Sequence, residues 1–170
     1  YAGPGVLDHS SGKYWNAVTE VGVESAQLLT ADEEQTPITV QLHSFGMWWT
    51  DFSRSDHALM DDYSYTQHSV PGQFVIRGLL PGQSYSLYLF GSGGIAKGNP
   101  GVIGVDAPEG SLFTIAGETQ ATTALRAARG DRHFMSGKDY VRFLRVQAND
   151  HGEIAGEWVN NPLSNAPISN

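Results

Sequence analysis

Glycine and proline interrupt this chain so often that few of its apolar runs could complete a helix of ordinary length. Twenty glycines and eight prolines are spread over 170 residues. Short apolar runs between frequent turn residues are the pattern of many short strands, so the predicted class is all-β, an antiparallel β-sandwich with at most one short helix.

Residues 84–91 (SYSLYLFG) carry large side chains at both parities, which predicts a central strand covered on both faces. Residues 73–78 form a strand before it. The intervening Leu79-Leu80-Pro81-Gly82-Gln83 offers the fixed φ of proline and the positive φ of glycine that a type II turn needs, so the two strands are expected to form a hairpin. Further strands are expected over residues 38–43, 111–116, 119–124, 140–148 and 153–158, the last two joined by the turn Asn149-Asp150-His151-Gly152. Residues 121–129 are the one helical candidate, closed by Gly130. Residues 46–62 and 91–110 read as long irregular segments, the places where binding groups concentrate. The acidic step Asp32-Glu33-Glu34 reads as a solvated turn.

Composition removes several classes of partner. Ten basic residues against eighteen acidic ones leave a net charge of -8, which repels phosphate backbones and offers no basic stripe for nucleic acid. Mean hydropathy is -0.28 and no apolar run approaches the roughly 20 residues of a membrane span, so a soluble chain without a membrane span is expected. The absence of cysteine removes a disulfide framework and a thiol nucleophile. A chain of this length buries roughly two-thirds of its unfolded surface without either. No internal repeat or charge block marks a boundary, so residues 1–170 are read as one domain. The opening Tyr1-Ala2-Gly3-Pro4-Gly5 reads as the interior of a longer protein.

Several segments, taken in order, carry a resemblance. They are Tyr1-Ala2-Gly3-Pro4-Gly5-Val6-Leu7 with Tyr14-Trp15-Asn16, then Leu28-Leu29-Thr30-Ala31-Asp32, Thr36-Pro37-Ile38-Thr39-Val40 and Leu59-Met60-Asp61-Asp62-Tyr63. Phe74-Val75-Ile76-Arg77-Gly78-Leu79-Leu80-Pro81-Gly82 and Tyr85-Ser86-Leu87-Tyr88-Leu89-Phe90-Gly91 follow. Tyr140-Val141-Arg142-Phe143 and Gly152-Glu153-Ile154-Ala155-Gly156-Glu157-Trp158 close the series. Together they resemble a domain type of secreted bacterial proteins, often ones with a PEP-CTERM sorting tail, whose fold is similar to the galactose-binding-like jelly roll. The resemblance implies an extracellular or cell-surface location and carbohydrate recognition by end loops or a sheet face. Domains of this type also carry a strand before the position of Tyr1 and another after that of Asn170; without them, open sheet edges would be ready to accept a partner strand.

The candidate ligand site lies in residues 46–57 and just beyond. Trp48 and Trp49 offer flat faces for the C–H face of a pyranose, while Asp51, Arg54 and Asp56 supply hydrogen-bonding groups for its hydroxyls. The competing reading has both tryptophans cap the core, but adjacent residues of an extended segment cannot both point inward. Tyr63 and Tyr65 would share one face of a strand and extend the surface, or else pack in the core with hydroxyls at the rim. Near the end, Trp158 stands beside Asn160 and Asn161; completion of a core strand is the preferred role.

Asp8, Asp32, Asp61, Asp62 and Asp106 are oxygen donors suited to a structural calcium, though without EF-hand spacing. The six histidines are scattered, with no H-x-H or H-E-x-x-H spacing. Gly91-Ser92-Gly93-Gly94 fails the G-x-S-x-G pattern of a nucleophile elbow. A glycosidase or lyase needs a carboxylate pair in space, and nothing in the sequence selects one. No catalytic residue is assigned, and a non-enzymatic role is expected. Three functions follow in order: a carbohydrate-binding or surface-attachment module recognising an extracellular polysaccharide, an assembly domain contacting other chains through its sheet edges, and a polysaccharide hydrolase or lyase.

Overall fold

The computed structural model describes residues 16, 18, 20–49, 62–66, 70–91, 110–123 and 135–160. Nine strands follow one another within them: β1 (Thr39–His43), β2 (Gly46–Trp49), β3 (Asp62–Tyr65), β4 (Gly72–Arg77), β5 (Ser84–Phe90), β6 (Ser111–Ile115), β7 (Glu118–Ala121), β8 (Tyr140–Gln147) and β9 (Ile154–Asn160). The described residues contain no helix, and every strand pairing is antiparallel. The all-β expectation holds. The stretch proposed as helical begins as the end of β7, and its residues 124–129 lie outside the described residues. Among the described residues no helix is long and apolar enough to cross a membrane.

Five strands form one sheet in the order β1-β4-β9-β6-β7, while β5 pairs with β8 and β2 with β3. The large sheet turns Phe74, Ile76, Phe113, Ile115, Ile154 and Trp158 toward Leu87, Leu89, Val141, Phe143 and Val146 of the β5–β8 pair, and these side chains share one core. Two sheets around a common core are compatible with a sandwich. Phe143 is fully buried and Ile115 and Val141 nearly so. Bulk is balanced across the large sheet by glycine. Gly72 stands opposite Trp158, and Gly156 stands opposite both Phe74 and Ile115. A Cβ at Gly72 would come within 2.3 Å of the Trp158 ring, and one at Gly156 within 2.4 Å of that of Phe74, so the two aromatic rings lie close across strand backbone.

The hairpin expected of residues 73–91 is corrected by the pairing. The turn itself forms as predicted: Gln83 N–H donates to Leu80 C=O at 3.1 Å, and Gly82 has a φ of 71°, the value a type II turn requires at its third position. However, β4 belongs to the five-stranded sheet and β5 to the other pair. The turn therefore carries the chain between sheets. The Asn149–Gly152 turn makes the same passage between β8 and β9; there Asn149 Oδ1 accepts the N–H groups of His151 and Glu153, each at 2.9 Å. The two passages are stitched together. Leu79 N–H donates to Gly152 C=O at 3.0 Å, Gly82 N–H to Ala148 C=O at 3.1 Å and Ala148 N–H to Gln83 C=O at 2.9 Å.

A second correction concerns the place of β5. Its side chains alternate between solvent and core, with Tyr85, Leu87 and Leu89 inward and Ser84, Ser86 and Tyr88 outward. Among the described residues it has β8 as its single strand neighbour. Among the described residues it is neither central nor covered on both faces: the sequence is aromatic at both parities, yet Tyr88 is exposed.

Edges elsewhere are covered locally. Residues 22–28 run along the free side of β1, with Gly22 N–H donating to Leu42 C=O at 2.6 Å, Ser25 N–H to Val40 C=O at 2.8 Å and Leu28 N–H to Ile38 C=O at 2.7 Å. Asn16 extends this cover, its side-chain amide donating to Leu29 C=O at 2.8 Å and accepting Leu29 N–H at 2.7 Å. The Asp32-Glu33-Glu34 step is an exposed turn, as read from sequence.

Candidate functional site

Residues 46–62, expected to be irregular, begin with the strand β2 and end on the first residue of β3. β1 continues through Ser44 and Phe45 into β2, which pairs with β3 so that Gly46 faces Tyr65, Met47 faces Ser64, Trp48 faces Tyr63 and Trp49 faces Asp62. Directly opposed residues of an antiparallel pair share a face, and neighbours along a strand alternate. Positions 46, 48, 63 and 65 therefore fall on one face of the ribbon and positions 47, 49, 62 and 64 on the other. Trp48 and Trp49, proposed together as stacking platforms, occupy positions on opposite faces. Tyr63 and Tyr65 share a face, as expected from their spacing.

The described side chains at the ribbon's base are held in place by specific contacts. The Tyr65 ring crosses Gly46, where a Cβ would come within 2.9 Å of its hydroxyl. Its centroid is 5.5 Å from that of Phe45 at an interplanar angle of 59°, a tilted geometry favoured by the ring quadrupoles. Phe45 N–H donates to Tyr65 C=O at 3.1 Å. Ser64 Oγ donates to Ser44 Oγ at 2.6 Å, and Ser44 Oγ donates to Gly46 C=O at 3.1 Å. Phe45 remains 57% exposed, so its ring is presented to solvent rather than used as core. Of the remaining proposed ligands, Asp51, Arg54 and Asp56 lie outside the described residues.

The sequence-selected carboxylates do not converge among the described residues. Asp32 is exposed in its turn and Asp62 lies on β3, while Asp8, Asp61 and Asp106 are outside the described residues. Among the described residues no group of three or more His, Asp or Glu is placed to hold a metal ion. Trp158 takes the structural role preferred for it, packing on the core from β9.

Two further surfaces were not singled out by sequence. On the solvent side of the five-stranded sheet, Arg77 Nε donates to Glu153 at 3.0 Å and Arg77 Nη1 to Gln41 Oε1 at 3.0 Å, with Glu24 at 3.9 Å. Beside this network a shallow cavity of about 330 Å³ is lined by Gln73, Val75, Thr114, Ala155 and Glu157, among others; its lining comes from β4, β6 and β9 and not from the ribbon.

The solvent side of the β5–β8 pair is the other. Tyr88 stands opposite Arg142 and Phe90 opposite Tyr140. The Tyr140 ring lies 6.0 Å from that of Tyr88 and 5.3 Å from that of Phe90. Between Tyr85 and Leu87 the register slips, so Leu144 and Arg145 together face Ser86. This β-bulge leaves two consecutive side chains exposed. A signal for it was present in the sequence: Val141 and Phe143 are inward at a spacing of two, then Val146 and Ala148 resume one residue late.

No protein-family model, curated protein or solved structure matches this chain.

Proposed function

We propose that the chain is a non-catalytic carbohydrate-binding or surface-attachment module of jelly-roll, galactose-binding-like type that recognises an extracellular polysaccharide at the cell surface. The observation that carries this reading is the exposed Phe45 ring, set against Tyr65 at the base of a ribbon whose next opposed pair on the Tyr65 face is Trp48 and Tyr63. Aromatic faces on a strand-held ribbon suit stacking on pyranose rings. Affinity electrophoresis in gels containing soluble polysaccharides, with and without EDTA, tests it. Retardation that is lost in Phe45→Ala combined with Trp48→Ala is expected, and loss with EDTA would add a structural calcium. Absence of retardation on every polysaccharide overturns the proposal.

Assembly through a sheet edge is the second reading, favoured by the single strand neighbour of β5 among the described residues. Sedimentation velocity across a concentration series separates the two: concentration-dependent association without glycan retardation supports assembly.

A further inference from the structure

The solvent face of the β5–β8 pair combines flat rings with unpaired positive charge. Tyr88 is 37% exposed and Leu144 51% exposed, and Arg142 and Arg145 are exposed beside them. Among the described residues the salt bridges are those of Arg77 with Glu24 and Glu153, so both guanidinium groups of this face stand without a carboxylate partner. Gln120 engages the backbone of Arg142 and leaves its side chain free to reach outward. On a chain of net charge -8, two uncompensated arginines on one face are a local inversion of the protein's overall field.

Backbone conformation adds an independent observation. Among the described residues three non-glycine residues have positive φ: Glu33, Ala116 and Arg145. The first two lie in turns, where such values are ordinary. Arg145 alone lies inside a strand, at the bulge, with a φ of 59°. Glycine would adopt that conformation without penalty, whereas an arginine is held there against its preference. Strain of this kind is kept where the side chain has a use.

The geometry points to a second binding face, formed by Tyr88, Tyr140, Arg142, Leu144 and Arg145, whose ligand is a carboxylated polysaccharide of the uronic-acid class. A planar guanidinium matches a carboxylate through two parallel hydrogen bonds, and the exposed ring of Tyr88 with the neighbouring Leu144 provides the apolar contact for a sugar's C–H face. This site stands apart from the β2–β3 ribbon and does not depend on it.

Affinity electrophoresis in polygalacturonate, alginate, dextran and dextran sulfate gels tests the inference. Wild-type protein is retarded by the uronate polymers. Arg142→Gln with Arg145→Gln weakens this by about tenfold or more, the scale of losing charge-assisted hydrogen bonds, and Tyr88→Ala weakens it as well. Arg145→Gly supplies a variant whose backbone suits the positive φ at the bulge: it is expected to keep the wild-type thermal midpoint, yet lower uronate retardation. No retardation by either uronate polymer overturns the inference, and a Phe45-dependent response to dextran would then leave the ribbon standing. Equal retardation by dextran sulfate that is insensitive to Tyr88→Ala also overturns it, since that is ion exchange alone.

Discussion

The side-chain amide of Gln120 on β7 donates to the carbonyl of Arg142 on β8 at 3.1 Å and accepts its N–H at 3.3 Å. One side chain thus stands in for a neighbouring strand and ties the edge of the five-stranded sheet to the β5–β8 pair. Glu118 holds the same amide, accepting from Gln120 Nε2 at 2.6 Å. Gln120→Ala removes both bonds to Arg142 and is expected to lower stability by about 1–2 kcal/mol. Urea denaturation of the variant beside wild type checks this, and an unchanged midpoint would show the tie to be dispensable.

The β6–β7 turn offers the opposite sign. Ala116 and Gly117 have φ of 50° and 83°, a two-residue type I′ turn between Ile115 and Glu118. Alanine is poorly suited to its first position, which asparagine occupies more readily. Ala116→Asn is expected to stabilise the protein by about 0.5–1 kcal/mol, and Gly117→Ala to destabilise it. Thermal unfolding followed by far-ultraviolet circular dichroism gives both shifts in one experiment.

Gly72→Ala probes the close packing of Trp158. The added methyl must displace the indole from the backbone it covers, an overpacking expected to cost about 2–3 kcal/mol. Trp158→Leu in the same chain makes room for the methyl, so the double variant should lose less than the sum of the single losses. Strict additivity of the two would mean that ring and glycine do not meet.

Phe45 separates binding from stability. Its ring is mostly outside the core, so Phe45→Ala is expected to change unfolding free energy by no more than about 0.5 kcal/mol. Glycan affinity should fall by about tenfold, as for loss of an aromatic anchor. A variant that unfolds readily would assign the ring to structure instead.

Local chemistry was legible in the sequence, and pairing was not. The Pro81-Gly82 turn has the geometry its residues dictate, but nothing in a turn of that type says whether the next strand returns beside the last or crosses to another layer. β5 was misplaced for a related reason: tyrosine at an outward position looks the same in sequence as tyrosine in a buried one, and Tyr88 is the former. For the ribbon, the alternation of Trp48 and Trp49 followed from extended backbone alone, whereas the register that sets Trp48 opposite Tyr63 did not. Arg142 and Arg145 went unnoticed because a strict period of two assigns Arg145 to the core side, and the bulge at Leu144 reverses that assignment.

The stitched passages beside Leu79 and Gly152 also divide the chain in an unusual way. Strands before Gly91 and strands after Gly110 interleave in both sheets, through β4–β9 and β5–β8, so each half presents one side of a clasp. A cut between those glycines should yield two pieces that lack ordered structure separately and regain it on mixing, with no covalent link between them. The core would then be a property of their meeting, assembled from parts that each carry only half of its surface.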